Sequence, residues 1–175
     1  CYDNGAYMNT GIQRRSATPV GAATTTTPVG SESSGKRRPR KDLTRIMVGH
    51  HLEYVAQGSI HNPVDLSNKL QKGIELDGPA FLNVICPCIP GWRIDPATGV
   101  NSARLAVETR FWPLYEVENG EYRLNYKPKA HVPIEEWLLS QGRFKHLKKP
   151  GHSQVIAEVQ KQVDEQWDWL LAQEG

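Results

Sequence analysis

The chain has 175 residues, of which 38% are hydrophobic and 23% are charged. This composition is typical of a globular protein with a buried core and excludes a disordered or fibrous chain. No run approaches the eighteen apolar residues of a membrane span, so we expect no membrane partner. Three cysteines do not make a disulfide framework, which indicates a reducing, cytoplasmic compartment.

Charge is unevenly distributed, although the net charge is only +2. Residues 1–41 carry a balance of +5, whereas the remainder carries a balance of −3. A basic first third predicts an anionic ligand or partner close to it. The basic run at 36–41 lacks the interleaved aromatic residues of a nucleic-acid surface, so we expect no nucleic-acid partner. We interpret the run as a solvated loop that contacts another subunit.

Regular structure is predicted only after a long loop. Residues 1–35 are rich in Gly, Ser, Thr, Asn and Pro and lack apolar periodicity, which favours loop. Asp42 is then positioned to cap a helix over about 43–52. A short strand at 54–57 and a second helix over about 66–76 follow.

The second helix leads into the strongest strand signal of the chain. With Asp65 as its cap, the helix places Leu66, Leu70 and Ile74 on one face, which predicts that this face packs on the core. The continuous apolar run at 80–85 is typical of a strand buried on both faces. The order strand, helix, strand predicts a βαβ unit with a parallel sheet, and therefore the α/β class.

Beyond residue 100 the pattern predicts helices and one hairpin. Asn119-Gly120 lies between two strand-like segments and is a strong signal for a two-residue turn. Trp169 lies outside the apolar stripe of the last helix, either as an edge-packed aromatic or as a subunit contact. The predicted elements are a helix at 103–110, strands at 114–118 and 121–126, a helical turn after Pro133 and a helix from Ser153.

The most specific stretch for chemistry is the opening YDNGAYMNTG at 2–11. Oxygen donors on Asp3, Asn4 and Asn9 suit a hard cation such as Mg²⁺, which usually bridges to phosphate oxygens. Arg14 and Arg15 would then face the phosphates. The alternative is a turn-rich loop whose Asn and Asp side chains cap the local backbone. Composition alone leaves both interpretations open.

The opening motif resembles a stretch of a known enzyme family. It reads YDNGAYMNTGIQRRSATPVGA, and the similarity continues through KRRPRKDL, HHLEYVAQGS, DGPAFLNVICPCIPGW, FWPLYEVENG and QGRFKHL. These segments resemble the beta subunits of 2-oxoacid:ferredoxin oxidoreductases, the pyruvate synthase family, over about residues 1–150. The family more often has Glu where this chain has Gly5. The resemblance implies part of a parallel-sheet thiamine-diphosphate-binding fold, followed by a C-terminal hairpin and helical extension.

The resemblance also implies roles for single positions in the opening motif. Asn4 would bind Mg²⁺ through its side chain and Ala6 through its main-chain carbonyl. Asn9 and Thr10 would contact the diphosphate of thiamine diphosphate, and Asp3 would orient the loop. The family's Gly-Asp-Gly, about thirty residues earlier, is not in this sequence, and no residue is assigned as the cofactor's glutamate. Together with the start at Cys1, this predicts an N-terminally truncated subunit, with 1–98 as the distal half of the cofactor-binding domain and 99–175 as the extension.

Cys86 and Cys88 lie in the loop at 86–92, after the apolar strand, where ligands bind in open α/β sheets. From the residues alone, they are either buried cysteines or two of the roughly four ligands that a metal or cluster needs. The resemblance implies that Cys88 binds a 4Fe-4S cluster whose other ligands lie outside this sequence, with Cys86 as a neighbour. The histidines form no zinc pattern, since His50 and His51 are adjacent and diverge on a helix.

The resemblance implies an enzyme that oxidatively decarboxylates a 2-oxoacid to an acyl-CoA and passes the electrons through the cluster to ferredoxin. Its partners would be other subunits of a hetero-oligomer, ferredoxin, the 2-oxoacid and coenzyme A. Pyruvate is the expected substrate, and phenylglyoxylate, oxalate, branched-chain 2-oxoacids and 2-oxoglutarate are alternatives. A second hypothesis is a non-catalytic assembly module that retains the thiamine fold.

Overall fold

The computed structural model describes residues 1–174 as an α/β fold, which confirms the predicted class. Two 3-10 helices lie at Pro96–Thr98 and Gly142–Lys148. The strands are β1 (Tyr2–Asp3), β2 (Tyr54–Ser59), β3 (Ala80–Ile85), β4 (Tyr115–Glu118) and β5 (Glu121–Leu124). The helices are α1 (Leu43–Val48), α2 (Pro63–Glu75), α3 (Ile89–Trp92), α4 (Gly99–Glu108), α5 (Ile134–Leu139) and α6 (Ser153–Gln173).

The five strands form one mixed sheet in the order β1-β3-β2-β4-β5. The pairs β1–β3 and β3–β2 are parallel, so β2, α2 and β3 form the predicted βαβ unit. The strands β4 and β5 form the predicted hairpin, which pairs antiparallel with β2. Asn119 and Gly120 have φ of 51° and 87°, the left-handed turn geometry that their residue types favour. The hairpin therefore extends the parallel half of the sheet directly.

The end of α1 and the start of α2 differ from the predicted boundaries. Asp42 caps α1 as predicted, since its side chain accepts a hydrogen bond from the Arg45 amide at 3.1 Å. The helix ends at Val48 rather than near residue 52, and His51 beyond it has φ of 57°. The cap of α2 is Asn62, not Asp65, because the Asn62 side chain accepts from the Asp65 amide at 3.2 Å. With Pro63 in its first turn, α2 therefore starts three residues earlier.

The predicted core face of α2 was wrong for two of its three residues, since only Leu66 is half-buried and lies against β2. Leu70 is 45% and Ile74 81% exposed, whereas Lys69 is buried. The Lys69 ammonium donates to the carbonyl oxygen of Gln57 at 2.9 Å and pairs with the Asp65 carboxylate at 2.8 Å. These two contacts compensate for burying the charge, so α2 also packs on β2 through Lys69, a residue that periodicity assigned to the polar side of the helix.

The prediction that β3 is buried on both faces was correct only for its second half. The first three residues, Ala80–Leu82, are half-buried, and burial is complete from Asn83 to Ile85. The buried end is the carboxyl end, where the strand meets the main core. Tight packing is thus concentrated at the edge of the sheet from which the candidate site emerges.

The main core lies between this edge and the C-terminal helices. Trp92, Trp112 and Trp137 are almost completely buried, and α6 contributes Val159 and Val163 to the same cluster as predicted. Among residues 1–174, no helix combines the length and apolar character needed to cross a lipid bilayer.

Trp169, which lies off the apolar stripe of α6, is half-buried inside the chain. The Arg45 guanidinium carbon lies 3.6 Å from the centroid of its ring, and Tyr122 contacts it edge-on at 5.6 Å. These intramolecular contacts match the edge-packed alternative.

The basic run at 36–41 is not simply a solvated loop. The Lys36 side chain is buried, and its ammonium donates to the carbonyl oxygens of Ser16, Thr18 and Pro39. Burial, followed by the positive charges of Arg14 and Arg40, lowers the pKa of Lys36 to about 8. Because this pKa lies above neutral pH, most of the Lys36 side chains are charged there. The ammonium links the loop segment at 16–18 to Pro39 through hydrogen bonds.

Replacing Lys36 with methionine is therefore expected to destabilise the fold by about 3 kcal/mol, because three carbonyl oxygens lose their donor inside the protein. The control is Arg37→Met, since the neighbouring Arg37 side chain is exposed and bonds a single carbonyl. We expect that control to change the free energy of unfolding by less than about 0.5 kcal/mol. Urea unfolding curves measure both, and equal effects would contradict the assigned role of Lys36.

Candidate functional site

Two loops emerge side by side at the carboxyl edge of the sheet because β1 and β3 are parallel neighbours. Asp3 pairs in register with Ile85, and the Cys86 amide donates to the Asp3 carbonyl oxygen at 2.9 Å. The first loop starts with Asn4, and the second, residues 86–92, carries Cys86 and Cys88 and is called the cysteine loop below. The topology thus brings together two segments that are more than eighty residues apart in the chain.

Asp3, at the end of β1, is almost completely buried and is surrounded by positive charge. One carboxylate oxygen pairs with Arg15 at 2.9 Å, and the other pairs with Arg40 at 3.0 Å. The first oxygen also accepts the Gly5 amide at 3.0 Å. Asp3 therefore holds the start of the loop and neutralises part of the basic segment. Arg15, expected to face phosphates, is engaged by this ion pair.

The turn at residues 3–6, which we call the asparagine turn, has a defined hydrogen-bond pattern. The Asn4 side-chain oxygen accepts the Ala6 amide at 3.3 Å, which is a long bond. The Asn4 carbonyl oxygen accepts the indole N–H of Trp92 at 2.7 Å. Gly5 has φ of +74°, which glycine adopts without strain. A half-buried amide oxygen is thus presented at a rigid turn.

The other residues of the opening motif are placed differently. Ala6 is buried at 3% exposure, whereas Asn9 and Thr10 are exposed. The Thr10 hydroxyl donates to the Gln13 side-chain oxygen at 3.3 Å. The backbone amides of Tyr7 and Gln13 each donate to the carbonyl oxygen of the other residue. Asn9 and Thr10 therefore lie on an open part of the loop, where their polar atoms are accessible.

Cys88 is the N-cap residue of the short helix α3, and its carbonyl oxygen accepts a hydrogen bond from the Trp92 amide at 2.8 Å. Both Cys86 and Cys88 are half-buried with free thiols. Burial, and then the neighbouring Cys88, raises the pKa of the Cys86 thiol, which keeps it protonated at neutral pH.

The two loops are in direct contact. A side chain at Gly91 would collide with the sulfur of Met8, and its Cβ would lie 3.3 Å from the Cys88 sulfur. A larger residue at this position would require the Met8 side chain to move, so the glycine leaves space for Met8, from the first loop, to lie against α3. The asparagine turn and the cysteine loop therefore form one packed unit.

A basic cavity of about 490 Å³ borders this unit. Six cationic side chains line it, of which Arg14, Arg38 and Lys41 are exposed. Such a concentration of positive charge attracts a polyanion, with guanidinium groups suited to phosphate oxygens. The full lining is Tyr7, Arg14, Arg15, Ser16, Lys36, Arg38, Pro39, Arg40 and Lys41.

Arg143 is a buried functional-site neighbour that the sequence did not indicate. Its guanidinium lies 4.4 Å from the centroid of the Trp92 ring, and its Nε donates to Gln141 at 2.8 Å. Burial lowers the pKa of Arg143 to about 9, so the group stays charged at neutral pH. Its Nη2 has no hydrogen-bond partner within residues 1–174. Its partner Trp92 comes from a distant segment, so spacing along the chain gave no signal for this contact.

The donor chemistry fits the expected cofactors in part. One or two oxygen ligands together with phosphate oxygens are typical of Mg²⁺, and the asparagine turn next to a basic cavity provides that combination. A four-iron cluster needs about four thiolates, and the cysteine loop offers two at most. Within residues 1–174, no group of three or more His, Cys, Asp or Glu side chains is placed to hold a metal. The described residues could therefore hold only part of a cluster.

The chain is similar to curated oxidoreductase subunits along almost its whole length. It is 49% identical over 164 residues to pyruvate synthase subunit PorB of Methanothermobacter thermautotrophicus, covering 94% of this chain and 56% of that protein. The Thermotoga maritima PorB is 45% identical over 174 residues, with 99% and 54% covered. Ketoisovalerate oxidoreductase subunit VorB of Pyrococcus furiosus is 45% identical over 171 residues, with 97% and 54% covered.

The chain spans about half the length of the curated relatives it matches. No protein-family model matches the chain. The alignment with the Thermotoga maritima protein covers 99% of the chain and therefore includes both loops of the site and the elements that support them. The chain therefore belongs to the family of 2-oxoacid:ferredoxin oxidoreductase beta subunits, as its motifs predicted.

Proposed function

We propose that this chain is part of a 2-oxoacid:ferredoxin oxidoreductase that converts a 2-oxoacid to an acyl-CoA and passes the electrons to ferredoxin. The observation that carries the proposal is the contact between the asparagine turn and the cysteine loop at one edge of the sheet. An oxygen-ligand turn in contact with a loop that carries a half-buried thiol suits an enzyme that couples decarboxylation to electron transfer. When bound, thiamine diphosphate supplies the carbanion chemistry for decarboxylation, and an iron–sulfur cluster supplies single-electron transfer.

In this proposal Asn4 binds Mg²⁺ through its side-chain oxygen, and Ala6 binds it through its carbonyl oxygen. Asn9 and Thr10 contact the diphosphate from the open part of the loop. Asp3 orients the turn, supported by its bond to the Gly5 amide. All of these residues lie within 1–98, the proposed cofactor-binding half, and 99–175 form an extension that completes the sheet.

Cys88 is the proposed ligand of a 4Fe-4S cluster, whose other ligands come from outside this sequence. The basic cavity supports the binding of anionic groups beside the turn, which agrees with a diphosphate and with coenzyme A as substrates. Because low-potential iron–sulfur chemistry requires reducing conditions, we place the enzyme in an oxygen-poor cytoplasm.

The names of the relatives indicate which substrate and which partners to propose for this chain. Most of the reported relatives are subunits of pyruvate synthase, and one is a subunit of ketoisovalerate oxidoreductase. Pyruvate is therefore the first candidate, with branched-chain 2-oxoacids as the second. Since these relatives are named as subunits, we propose that the chain works with other subunits in a hetero-oligomer.

The experiment is to replace Cys88 with serine in the assembled complex and to measure iron and thiamine diphosphate. We expect cluster iron to be lost while thiamine diphosphate is retained, because the thiol and the asparagine turn hold different groups. The control Cys86→Ser should retain both. Unchanged iron in the Cys88 variant would exclude it as a ligand. A wild-type complex that contains neither iron nor thiamine would favour the alternative of an assembly module.

A further inference from the structure

Among residues 1–174, Trp92 is the one side chain that connects the two loops of the site through a hydrogen bond to the asparagine turn. Its indole N–H donates to the Asn4 carbonyl oxygen at 2.7 Å, although the two residues are 88 positions apart. Its backbone amide donates to the Cys88 carbonyl oxygen at 2.8 Å and closes the helix α3. The same residue therefore touches both proposed cofactor loops.

The surroundings of Trp92 hold its indole rigidly. The side chain is 2% exposed, and the Arg143 guanidinium lies 4.4 Å from its ring centroid. Trp137 packs edge-on against it at 5.6 Å with the rings nearly perpendicular, at 88°. A buried aromatic ring packed against two bulky groups cannot rotate freely, so the direction of its N–H is fixed by the core.

The peptide between Asn4 and Gly5 is held at both of its polar atoms. Its carbonyl oxygen accepts from Trp92 at 2.7 Å, and its N–H, on Gly5, donates to the buried Asp3 carboxylate at 3.0 Å. The Asn4 side chain makes only a long bond, at 3.3 Å, to the Ala6 amide. The Trp92 bond is thus the shortest of the hydrogen bonds that fix the orientation of Asn4 in the described chain.

We infer that Trp92 is a positioning residue that orients Asn4 toward the metal through its indole N–H. The inference rests on the proposed function, because it assigns a supporting role to a residue behind a proposed Mg²⁺ ligand. Groups that orient metal ligands typically contribute 10–100-fold to metal affinity. Trp92 acts on the backbone of Asn4 and does not itself contact the metal, so its effect should be confined to Mg²⁺ binding.

The test compares Trp92→Phe with Trp112→Phe in the assembled complex. The control is closely matched, because Trp112 is 1% exposed and its indole N–H donates to the Gly58 carbonyl oxygen at 2.8 Å, away from both loops. Mg²⁺ affinity is titrated at a fixed concentration of thiamine diphosphate, and iron content and melting temperature are measured in parallel. We expect about a 10-fold weaker Mg²⁺ affinity for Trp92→Phe and less than about a twofold change for the control, with iron retained in both.

Equal Mg²⁺ affinities in the two variants would overturn the inference while leaving the proposed function intact. Loss of iron together with Mg²⁺ affinity in Trp92→Phe would also overturn it, since that result means general disruption of the core. A wild-type complex that binds no thiamine diphosphate would refute both. If Trp92→Phe does not fold, the benzothienyl isostere of tryptophan at position 92 removes the N–H at constant shape, and the same 10-fold criterion applies.

Discussion

Replacing Asn4 with alanine is expected to weaken Mg²⁺-dependent binding of thiamine diphosphate by at least about 100-fold. Loss of a group that only orients a metal ligand lowers metal affinity 10–100-fold. Loss of the ligand itself should therefore lower the affinity by at least about 100-fold. The Asn4 side chain is half-buried, and its only hydrogen bond to residues 1–174 is the long one from the Ala6 amide. The expected effect on stability is therefore small compared with the effect on binding.

Isothermal titration of thiamine diphosphate at several Mg²⁺ concentrations measures this loss in the assembled complex. The matched control is Asn68→Ala, because Asn68 is exposed on α2, far from the asparagine turn in the sequence. We expect the control to bind like the wild type. An Asn4→Ala complex that keeps wild-type affinity would show that the turn does not bind the metal, and the proposed function would lose its main support.

Replacing Asp3 with asparagine is expected to destabilise the fold by about 3 kcal/mol. The substitution keeps the shape and the acceptor for the Gly5 amide but removes the negative charge between Arg15 and Arg40. Breaking a buried ion pair from one side costs 3–5 kcal/mol because a charge is left uncompensated. The lower end applies here because Arg15 is 23% exposed and water screens part of its charge.

The free energy of unfolding from urea titrations measures this effect. The control is Asp95→Asn, since Asp95 also accepts an amide two residues ahead, that of Ala97 at 2.8 Å, but is exposed. We expect that control to cost less than about 1 kcal/mol. A loss for Asp3→Asn as small as that of the control would mean that the two arginine pairs contribute little to stability.

Several elements could be predicted because their signals are local. The hairpin follows from Asn119-Gly120, whose residue types favour the positive φ values that the turn adopts. The strand at 80–85 was predicted with its observed bounds because turn residues flank a continuous apolar run. The motif around Asn4 was also recognisable, since it is contiguous in the chain.

Other features could not be predicted because their stabilising contacts come from elsewhere in the fold. The apolar stripe of α2 predicted a core face, but the buried residue is Lys69, whose charge is compensated by Gln57 and Asp65. Lys36 looked like part of a solvated basic run, yet three carbonyl oxygens from separate segments surround its ammonium. Periodicity depends only on the polarity and spacing of residues along the chain, so it carries no information on such distant partners.

The order of residues along the chain was sufficient to establish the family, the α/β class and the two loops that carry the chemistry, because each of these depends on contiguous stretches. How the loops meet was decided only by the tertiary structure. Parallel pairing of β1 with β3 places Asn4 beside the cysteine loop, and a buried indole then joins them across 88 positions. Such a bond forms because packing in the core fixes the direction of a single N–H, and no local pattern of residues encodes that direction.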